Sequence, residues 1–272
     1  MNEQSLQSIA RQLRMYTVNA IYHAKSGHPG GSLSICDLLA VLFFKQIHIS
    51  SQNPEDPERD RFVLSKGHAA PAYYAALAMK GFFPTEELQN LRNINSFLQG
   101  HPAIHKIPGV DMSTGSLGQG LSAANGMALA ARVTGRDFRV YCICGDGELQ
   151  EGQIWEAAMT SAHYQLDHVT LFVDNNHLQI DGRVEEVMNP SPISAKFAAF
   201  GWNVLEIDGH DIFAINDAIE CAKRTAGKPT VIICSTVKGK GVSFMENQAG
   251  WHGAAPNAEQ YASAMEQLTQ GG

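Results

Sequence analysis

The chain has 272 residues, of which 44% are apolar and 17% charged, and a formal net charge of −7. These values are typical of an ordinary globular protein of one or two domains, and the lack of a basic stripe argues against binding DNA or RNA. No run of 18 apolar residues could form a transmembrane helix, and the polar N-terminus lacks the apolar core of a signal peptide, so we expect a cytoplasmic protein that does not contact membranes.

Apolar spacing and turn residues predict the elements in chain order. The Gly-His-Pro-Gly-Gly-Ser segment 27–32 is expected to break the first helix, and Thr85 is expected to cap a short helix with acids in its first turn. The predicted elements are helix 3–24, helix 34–46, strand 61–65, helix 69–80, the helix at 85, helix 121–133, strand 138–144, helix 153–164, strand 168–173, helix 193–200, strand 204–207, helix 212–226 capped by Asp211, strand 230–235 and a short helix after 256.

The alternation of strands and helices indicates the fold class. Crossover connections of this kind give a mainly parallel β-sheet with helices on both faces, an α/β fold, and residues 1–272 are predicted to form a single domain. Continuous apolar strands such as 169–173 are typical of a sheet that is covered on both sides. Ligands in such folds bind at the carboxyl ends of the strands.

The five cysteines do not indicate a disulfide framework or a zinc site. No two of them stand in a C-x-x-C pair, which structural zinc sites commonly use. Cys142 and Cys144 occupy alternate positions of a predicted strand, so they share one face and are expected to be buried thiols.

A glycine-rich loop spans residues 115–120, after Thr114. Its order, G-x-x-G-x-G, is not the dinucleotide fingerprint G-x-G-x-x-G, and no strand precedes it. A P-loop is also absent from the sequence, because Gly227-Lys228 is followed by Pro229. A loop that only allows close packing and a loop that binds a ligand remain equally open on this pattern.

Two polar motifs end neighbouring strands. Gly145-Asp146-Gly147 follows strand 138–144, and Asp174-Asn175-Asn176 follows strand 168–173, so Asp146 and Asn176 are thirty positions apart. In a parallel sheet this spacing places both at the same edge, where their oxygens suit Mg²⁺ or Ca²⁺. One carboxylate cannot balance a divalent cation, so a diphosphate would have to supply further charge. The alternative is two ordinary turns, since these residue types are common in turns.

Of the eleven histidines, several lie beside glycine or proline, and four of these are candidates for a functional role: His28, His68, His101 and His252. Imidazole titrates near neutral pH and can both donate and accept protons. A group of such side chains suits proton transfer, although each one alone could equally be a turn residue.

The pairing of GDG with Asn-Asn resembles the thiamine-diphosphate-binding motif, and the surrounding segments resemble the transketolase family. The similar segments stand in the family's order along nearly the whole chain: 26–32, 65–69, 99–102, 114–122, 145–157, 174–182, 238–246 and 251–256. Ser116 stands where the family often has proline, which leaves the acceptor preference open.

The resemblance implies a role for each matching residue. Asp146, Asn176 and the carbonyl of Leu178 would hold Mg²⁺ (or Ca²⁺ or Mn²⁺). The implied cofactor-binding residues are His68, Gly115, Ser116, Leu117, Gly145, Asp146, Gly147, Glu148, Asn176 and His252, among which Gly115 and Leu117 approach the aminopyrimidine and Glu148 has no assigned task. The implied catalytic residues are His28, His68, His101 and His252, with Glu151 at a subunit interface.

The resemblance also implies an activity and a partner. Transketolases transfer a two-carbon ketol unit from a ketose phosphate to an aldose, but they are more than twice as long as this chain. The sequence is therefore similar to the diphosphate-binding subunit of a split enzyme. A pyrimidine-binding partner chain, in an α2β2 assembly, would supply the glutamate that activates the cofactor.

Three other functions stay open at this point. A carboligase that condenses pyruvate with a sugar phosphate, similar to 1-deoxyxylulose-5-phosphate synthase, would share GDG and the asparagine. A non-catalytic cofactor-binding subunit would keep the fold but lose metal ligands or histidines. A nucleotide-binding domain is disfavoured by the missing fingerprints.

Overall fold

A five-stranded parallel sheet forms the centre of the protein in the computed structural model, which describes residues 2–271. Its strands lie in the order β1-β2-β3-β7-β6, and a separate antiparallel pair, β4-β5, forms a small hairpin. The strands are β1 (Arg61–Leu64), β2 (Val140–Gly145), β3 (Val169–Asn175), β4 (Leu178–Gln179), β5 (Gly182–Arg183), β6 (Asn203–Asp208) and β7 (Thr230–Ser235). The five strands predicted from the sequence are the five strands of the sheet.

Helices connect the strands and cover them. The α-helices are α1 (Glu3–Ala24), α2 (Pro29–Leu33), α3 (Cys36–Val41), α4 (Ala70–Met79), α5 (Gly120–Thr134), α6 (Gly152–His163), α7 (Val184–Val187), α8 (Ile193–Ala199), α9 (Ile212–Arg224) and α10 (Ala258–Gln270). A π-helical turn, Leu42–Gln46, continues α3, and short 3-10 helices span Gly67–Ala69, Thr85–Asn90, Gly147–Gln150 and Ala249–Trp251. In the described part of the chain, no helix is long and apolar enough to cross a membrane.

The two faces of the sheet pack against different helices. Tyr141 and Ile143 of β2 belong to a core formed with α1, α3, α4 and α9. Cys142 and Cys144 point to the opposite face and pack with α5, α6 and α8. This alternation follows from the two-residue period of a strand. It confirms the α/β fold with helices on both faces and the burial of the two thiols.

One local prediction was incomplete and another was wrong. The first helix does end before the segment 27–32, since α1 stops at Ala24, but Pro29–Leu33 then forms α2, which was not predicted. Pro29 lies in the first turn of α2, where its missing N–H costs nothing. A Cβ on Gly30 would lie 2.9 Å from the carbonyl oxygen of Trp251, so close packing outweighs the low helix propensity of glycine. Thr85 lies inside a 3-10 helix, and no side-chain hydrogen bond caps it.

The C-terminal helix was predicted only as a short helix after residue 256. Asn257 caps α10 through a reciprocal capping box with Gln260. The helix buries Leu268 in a small cluster with Val18 of α1, and the hydroxyl of Tyr261 donates to Asn19. Asp211 caps α9 as predicted, because it accepts from the N–H groups of Phe213 and Ala214.

Candidate active site

The GDG and DNN motifs meet at the carboxyl edge of the sheet. Gly145 and Asp174 are register partners of the adjacent strands β2 and β3. Asp146 is buried, and its carboxylate accepts from the N–H of Gly147 at 2.8 Å and from that of His177 at 2.5 Å. The interval of thirty residues therefore brings the two motifs together, as the parallel topology predicts.

Asn176 is held in one orientation. Its amide nitrogen donates to Asp174 at 2.9 Å, and its amide oxygen accepts from the N–H of Leu178 at 3.1 Å. The carbonyl of Leu178 accepts from the ammonium of Lys238 at 3.0 Å. Asp146, Asn176 and Leu178 thus present a carboxylate, an amide oxygen and a carbonyl at one place, of which Lys238 already contacts the carbonyl.

This donor set fits a hard cation that brings further ligands with it. Burial and then the neighbouring Asp174 raise the pKa of Asp146 to about 6, which is the environment in which a cation would stabilise the carboxylate. Within residues 2–271, no group of three or more His, Cys, Asp or Glu side chains could hold a metal ion. Asp146 is the only charged donor of the Asp146, Asn176 and Leu178 set, so a charged ligand such as a diphosphate would supply further negative charge.

A buried network that the sequence did not reveal lies beneath these donors. The carboxylate of Asp174 forms a buried ion pair with Lys66 and accepts from the hydroxyls of Ser34 and Thr236. Burial acts to raise the pKa of Asp174, but the charge of Lys66 and these hydrogen bonds outweigh it and lower the pKa. The network joins segments from four parts of the chain behind the amide of Asn176.

A second buried lysine, Lys238, faces the same cleft. It is 2% exposed, and its ammonium lies 3.0 Å from Nδ1 of His252. Burial and the charge of Lys66 lower the pKa of Lys238 to about 8. Fully buried lysines are rare without a specific purpose. Neither lysine was selected from the sequence. Lys66 stands in the segment 65–69, where only His68 was selected, and Lys238 stands in 238–246, which was noted only for its likeness to the family.

Three of the four selected histidines form a triangle over the cleft. The ring centroids of His28, His68 and His252 are 5.1–5.4 Å apart. Burial, followed by the charges of nearby cations, lowers the pKa of His28 to about 4 and that of His252 to about 3, and lowers the pKa of His68 strongly. All three are therefore neutral at pH 7, when each ring has one nitrogen that donates and one that accepts.

His101 and Glu151 lie farther out. His101 is exposed, and its ring packs against Gly115, where a Cβ would come within 3.1 Å of it. Partial desolvation of the ring by its neighbours, followed by the charge of Arg92, lowers the pKa of His101. Arg92, which the sequence did not single out, approaches Nδ1 of His28 at 3.4 Å and donates to the hydroxyl of Ser26. Glu151 is exposed at the N-cap of α6.

The glycine-rich loop forms another wall of the site. Gly115, Ser116 and Leu117 are exposed, whereas Gly118 is buried with a φ of +83° that favours glycine. The N–H of Gly118 donates to Glu148 at 2.9 Å. Glu148, which had no assigned task, is buried, and burial raises its pKa despite the hydrogen bonds that it accepts.

These elements enclose a cleft of about 330 Å³. All of the site residues selected from the sequence, except His101 and Ser116, line it. The lining residues include His28, Lys66, His68, Gly115, Leu117, Gly145, Asp146, Gly147, Glu148, Glu151, Asn176, Leu178, Ile180, Asp181, Lys238 and His252. Cations, neutral imidazoles and one carboxylate–amide pair thus share a single concave site, which is the usual form of a ligand site.

Comparisons with known proteins agree with this geometry. The family model described as "Transketolase, thiamine diphosphate binding domain" matches residues 5–270. A 6-deoxy-6-sulfo-D-fructose transketolase subunit from Clostridium sp. (strain MSTE9) is 47% identical over 100% of both chains. An apulose-4-phosphate transketolase subunit from Phocaeicola vulgatus is 41% identical over 99% of this chain and 96% of its own length.

Solved structures extend the likeness to the fold. The crystal structure of transketolase from Campylobacter jejuni superposes with a TM-score of 0.93 at 38% identity. The match covers 99% of this chain but only 43% of that one. The chain therefore spans the full length of the two subunit relatives and less than half of the solved enzyme.

Proposed function

The chain belongs to the transketolase family, and from this membership we propose that it is the diphosphate-binding subunit of a split transketolase. With a partner chain it would transfer a two-carbon ketol unit from a ketose to an aldose. The observation that carries the proposal is the single cleft that holds the Asp146–Asn176 pair, two buried lysines and three neutral histidines.

The polar edge of the cleft suits a metal diphosphate. Asp146, Asn176 and the carbonyl of Leu178 would hold Mg²⁺ (or Ca²⁺ or Mn²⁺), and the charge of Lys66 and Lys238 would favour the phosphates. The ammonium of Lys238 contacts both the carbonyl of Leu178 and Nδ1 of His252, so it connects the donor set to the histidines. Thiamine diphosphate, when bound, supplies the electron sink for cleaving a bond beside a carbonyl.

The histidine triangle suits proton transfer on sugar hydroxyls. A neutral imidazole can take a proton from one hydroxyl and hydrogen-bond another, which a permanently protonated ring could not do. His28, His68 and His252 would act on the substrate, and the pKa of His68 is lowered by burial and by the charge of Lys66. His101 would contribute from the rim of the cleft.

A partner chain would complete the site. The chain covers 43% of the solved transketolase, and two relatives of the same length are named as subunits. The missing part would bind the aminopyrimidine and provide the activating glutamate, in an assembly of two copies of each chain. Exposed Glu151, at the N-cap of α6, would face such a partner.

The donor would be a ketose with an anionic group at its far end. One relative is named for a sulfonated fructose and the other for apulose 4-phosphate. The guanidinium of Arg92 lies beside His28, and a cation next to a proposed catalytic histidine suits a sugar phosphate or sulfonate.

The test uses the chain copurified with a pyrimidine-binding partner, for which the product of a neighbouring gene is the first choice. Thiamine diphosphate and Mg²⁺ are added. Transfer from 6-deoxy-6-sulfofructose and apulose 4-phosphate is measured with glyceraldehyde 3-phosphate as the acceptor, and transfer from xylulose 5-phosphate is measured with a set of other aldoses, such as ribose 5-phosphate. We expect transfer from at least one donor. Bound cofactor without transfer from any donor would overturn the proposal.

A further inference from the structure

Glu148 lies two residues after Asp146 and lines the same cleft, but its carboxylate accepts from a different set of donors. Its carboxylate is buried, with the whole residue 3% exposed. One oxygen accepts from the hydroxyl of Ser65 and from the N–H of Gly118, and the other accepts from the N–H of Gly145 at 3.1 Å. Among the ion pairs of the described residues, none includes Glu148.

The three donors come from three separate parts of the chain. Ser65 follows β1, Gly145 ends β2 and Gly118 lies in the loop 115–120. The hydroxyl oxygen of Ser65 also accepts from the N–H of Gly120 at 3.1 Å, which is the first residue of α5. Glu148 and Ser65 therefore fasten the loop to the carboxyl edge of the sheet at two of its glycines.

The rest of the loop has little to hold it. Gly115, Ser116, Leu117 and Gln119 are exposed, and only Gly118 and Gly120 are buried. An exposed glycine-rich segment has a large conformational entropy, which must be overcome each time a ligand requires one conformation. A carboxylate with three hydrogen-bond donors fixes the segment before the ligand arrives, and its position is itself fixed because each donor is part of the backbone or of a buried serine.

We infer that Glu148 is a positioning residue, which sets the 115–120 loop against the ends of β1 and β2 so that its exposed residues form a ready wall for the cofactor. This inference rests on the proposed function for the identity of that ligand. The loop arrangement itself is a property of the chain without any ligand.

The chemistry of the side chain gives graded variants. Glu148→Gln keeps one oxygen for Ser65 and Gly118, but turns an NH₂ group toward the N–H of Gly145. Glu148→Ala leaves all three donors without an acceptor. Ser65→Ala removes the link to Gly120 and keeps the carboxylate. The matched control is Asp60→Ala: Asp60 is a buried carboxylate that accepts from the N–H groups of His48 and Arg139, at the opposite end of β1.

Hydrogen–deuterium exchange of the full chain without ligand is the deciding measurement. We expect peptides that cover 114–120 to exchange about ten-fold faster in Glu148→Ala, the factor that corresponds to losing a hydrogen bond to a charged group, and less so in Glu148→Gln and Ser65→Ala. Asp60→Ala should leave exchange in 114–120 at the level of the natural chain. Equal protection of this loop in Glu148→Ala and the natural chain, with both folded by circular dichroism, would overturn the inference.

Calorimetric titration of the chain and its partner with thiamine diphosphate and Mg²⁺ measures whether the loop arrangement affects the affinity for the cofactor. Glu148→Ala should weaken binding of the cofactor by about ten-fold, and Asp60→Ala should not change it. Unchanged affinity in Glu148→Ala would remove the role toward the cofactor. If the natural complex does not bind thiamine diphosphate at all, the proposed function fails, and the exchange result still decides whether Glu148 sets the loop.

Discussion

Asp146 is a turn residue and a candidate ligand at once. Its carboxylate accepts two backbone hydrogen bonds, from Gly147 and His177, and these fix the turn that follows β2. The same burial that raises its pKa to about 6 makes a bound cation favourable at this position. Turn geometry and ligation therefore use the same side chain and do not compete.

The first prediction concerns this carboxylate. Asp146→Asn should weaken Mg²⁺-dependent binding of thiamine diphosphate more than about 100-fold, because losing one partner of a buried charge contact costs at least about 3 kcal/mol. Calorimetric titration with and without Mg²⁺ measures the effect. Asp181→Asn, an exposed acid of the same cleft, is the control and should bind as the natural chain does. An equal loss of affinity in both variants would show that the negative charge of the cleft, and not ligation by Asp146, causes the effect.

The second prediction follows from the lowered histidine pKa values. The unfolded chain takes up protons at these histidines near pH 6.5, whereas folded His28 does so only at about 4 and His252 at about 3. The unfolding free energy is therefore at its full value above pH 6.5 and decreases as the pH falls from 6.5 toward 4. In His28→Asn the unfolding free energy should decrease less steeply with falling pH, because unfolding then takes up as much as one proton fewer.

Urea denaturation from pH 8 to pH 4 measures this dependence. Above pH 7 the curves of His28→Asn and the natural chain should run parallel, because the imidazole is neutral in both states there. The same slope in both proteins between pH 6.5 and 4 would show that folding does not lower the pKa of His28.

At the scale of elements, glycines control how closely the loops approach the ends of the strands. A Cβ on Gly120, at the start of α5, would overlap the side chain of Ser65 after β1. A Cβ on Gly67 would lie 2.8 Å from the backbone nitrogen of Gly115. These close contacts bring the 115–120 loop against the segment that follows β1. The position of the loop therefore depends on residues 67 and 120 being glycine.

The third prediction compares glycines of the same helix. Gly120→Ala should lower the unfolding free energy by about 1–3 kcal/mol, because buried serine and backbone atoms must move to admit the methyl group. Gly126→Ala, in the interior of α5 with no atom within 4 Å of the new Cβ, should raise it by about 0.5–1 kcal/mol. Urea denaturation of both variants measures the difference. The same sign of change in both would show that helix propensity, and not close approach, governs Gly120.

At the scale of the whole molecule, the cleft is bordered by apolar side chains that the fold does not cover. Ile180 is 65% exposed and Leu117 is 36% exposed, and both line the cleft. They come from two different elements, the β4–β5 hairpin and the glycine-rich loop. Apolar residues around a ligand site suit burial by a second chain.

The fourth prediction uses this border. Ile180→Asp should weaken association with the pyrimidine-binding partner by about ten-fold or more, since it places a charge in a buried interface, while the stability of the isolated chain changes by less than about 0.5 kcal/mol. Analytical ultracentrifugation and urea denaturation measure the two effects. Phe213→Asp is the control, because Phe213 is 59% exposed at the start of α9 and does not line the cleft. Equal weakening by both variants would contradict an interface at the cleft.

Much of the fold and part of the candidate site follow from local patterns. The periods of two and 3.6 residues predict the strands and most helices, and parallel pairing then requires Asp146 and Asn176 to share one edge. The four histidines were found because each stands beside a glycine or proline. The turn of α2 was missed because glycine and proline normally end a helix, and here a close contact with Trp251 makes Gly30 suitable within one.

The sequence by itself determined the order of elements, the edge at which the motifs meet and the family. The elements and the edge follow from local patterns along the chain, and the family follows from similar segments that stand in the same order. Only the tertiary structure decided which side chains meet across long separations. Lys66 and Asp174 are 108 positions apart, and Ser65 and Glu148 are 83 apart. Their pairing is set by the packing of loops at the strand ends. The sequence alone does not show whether a particular lysine or glutamate is buried.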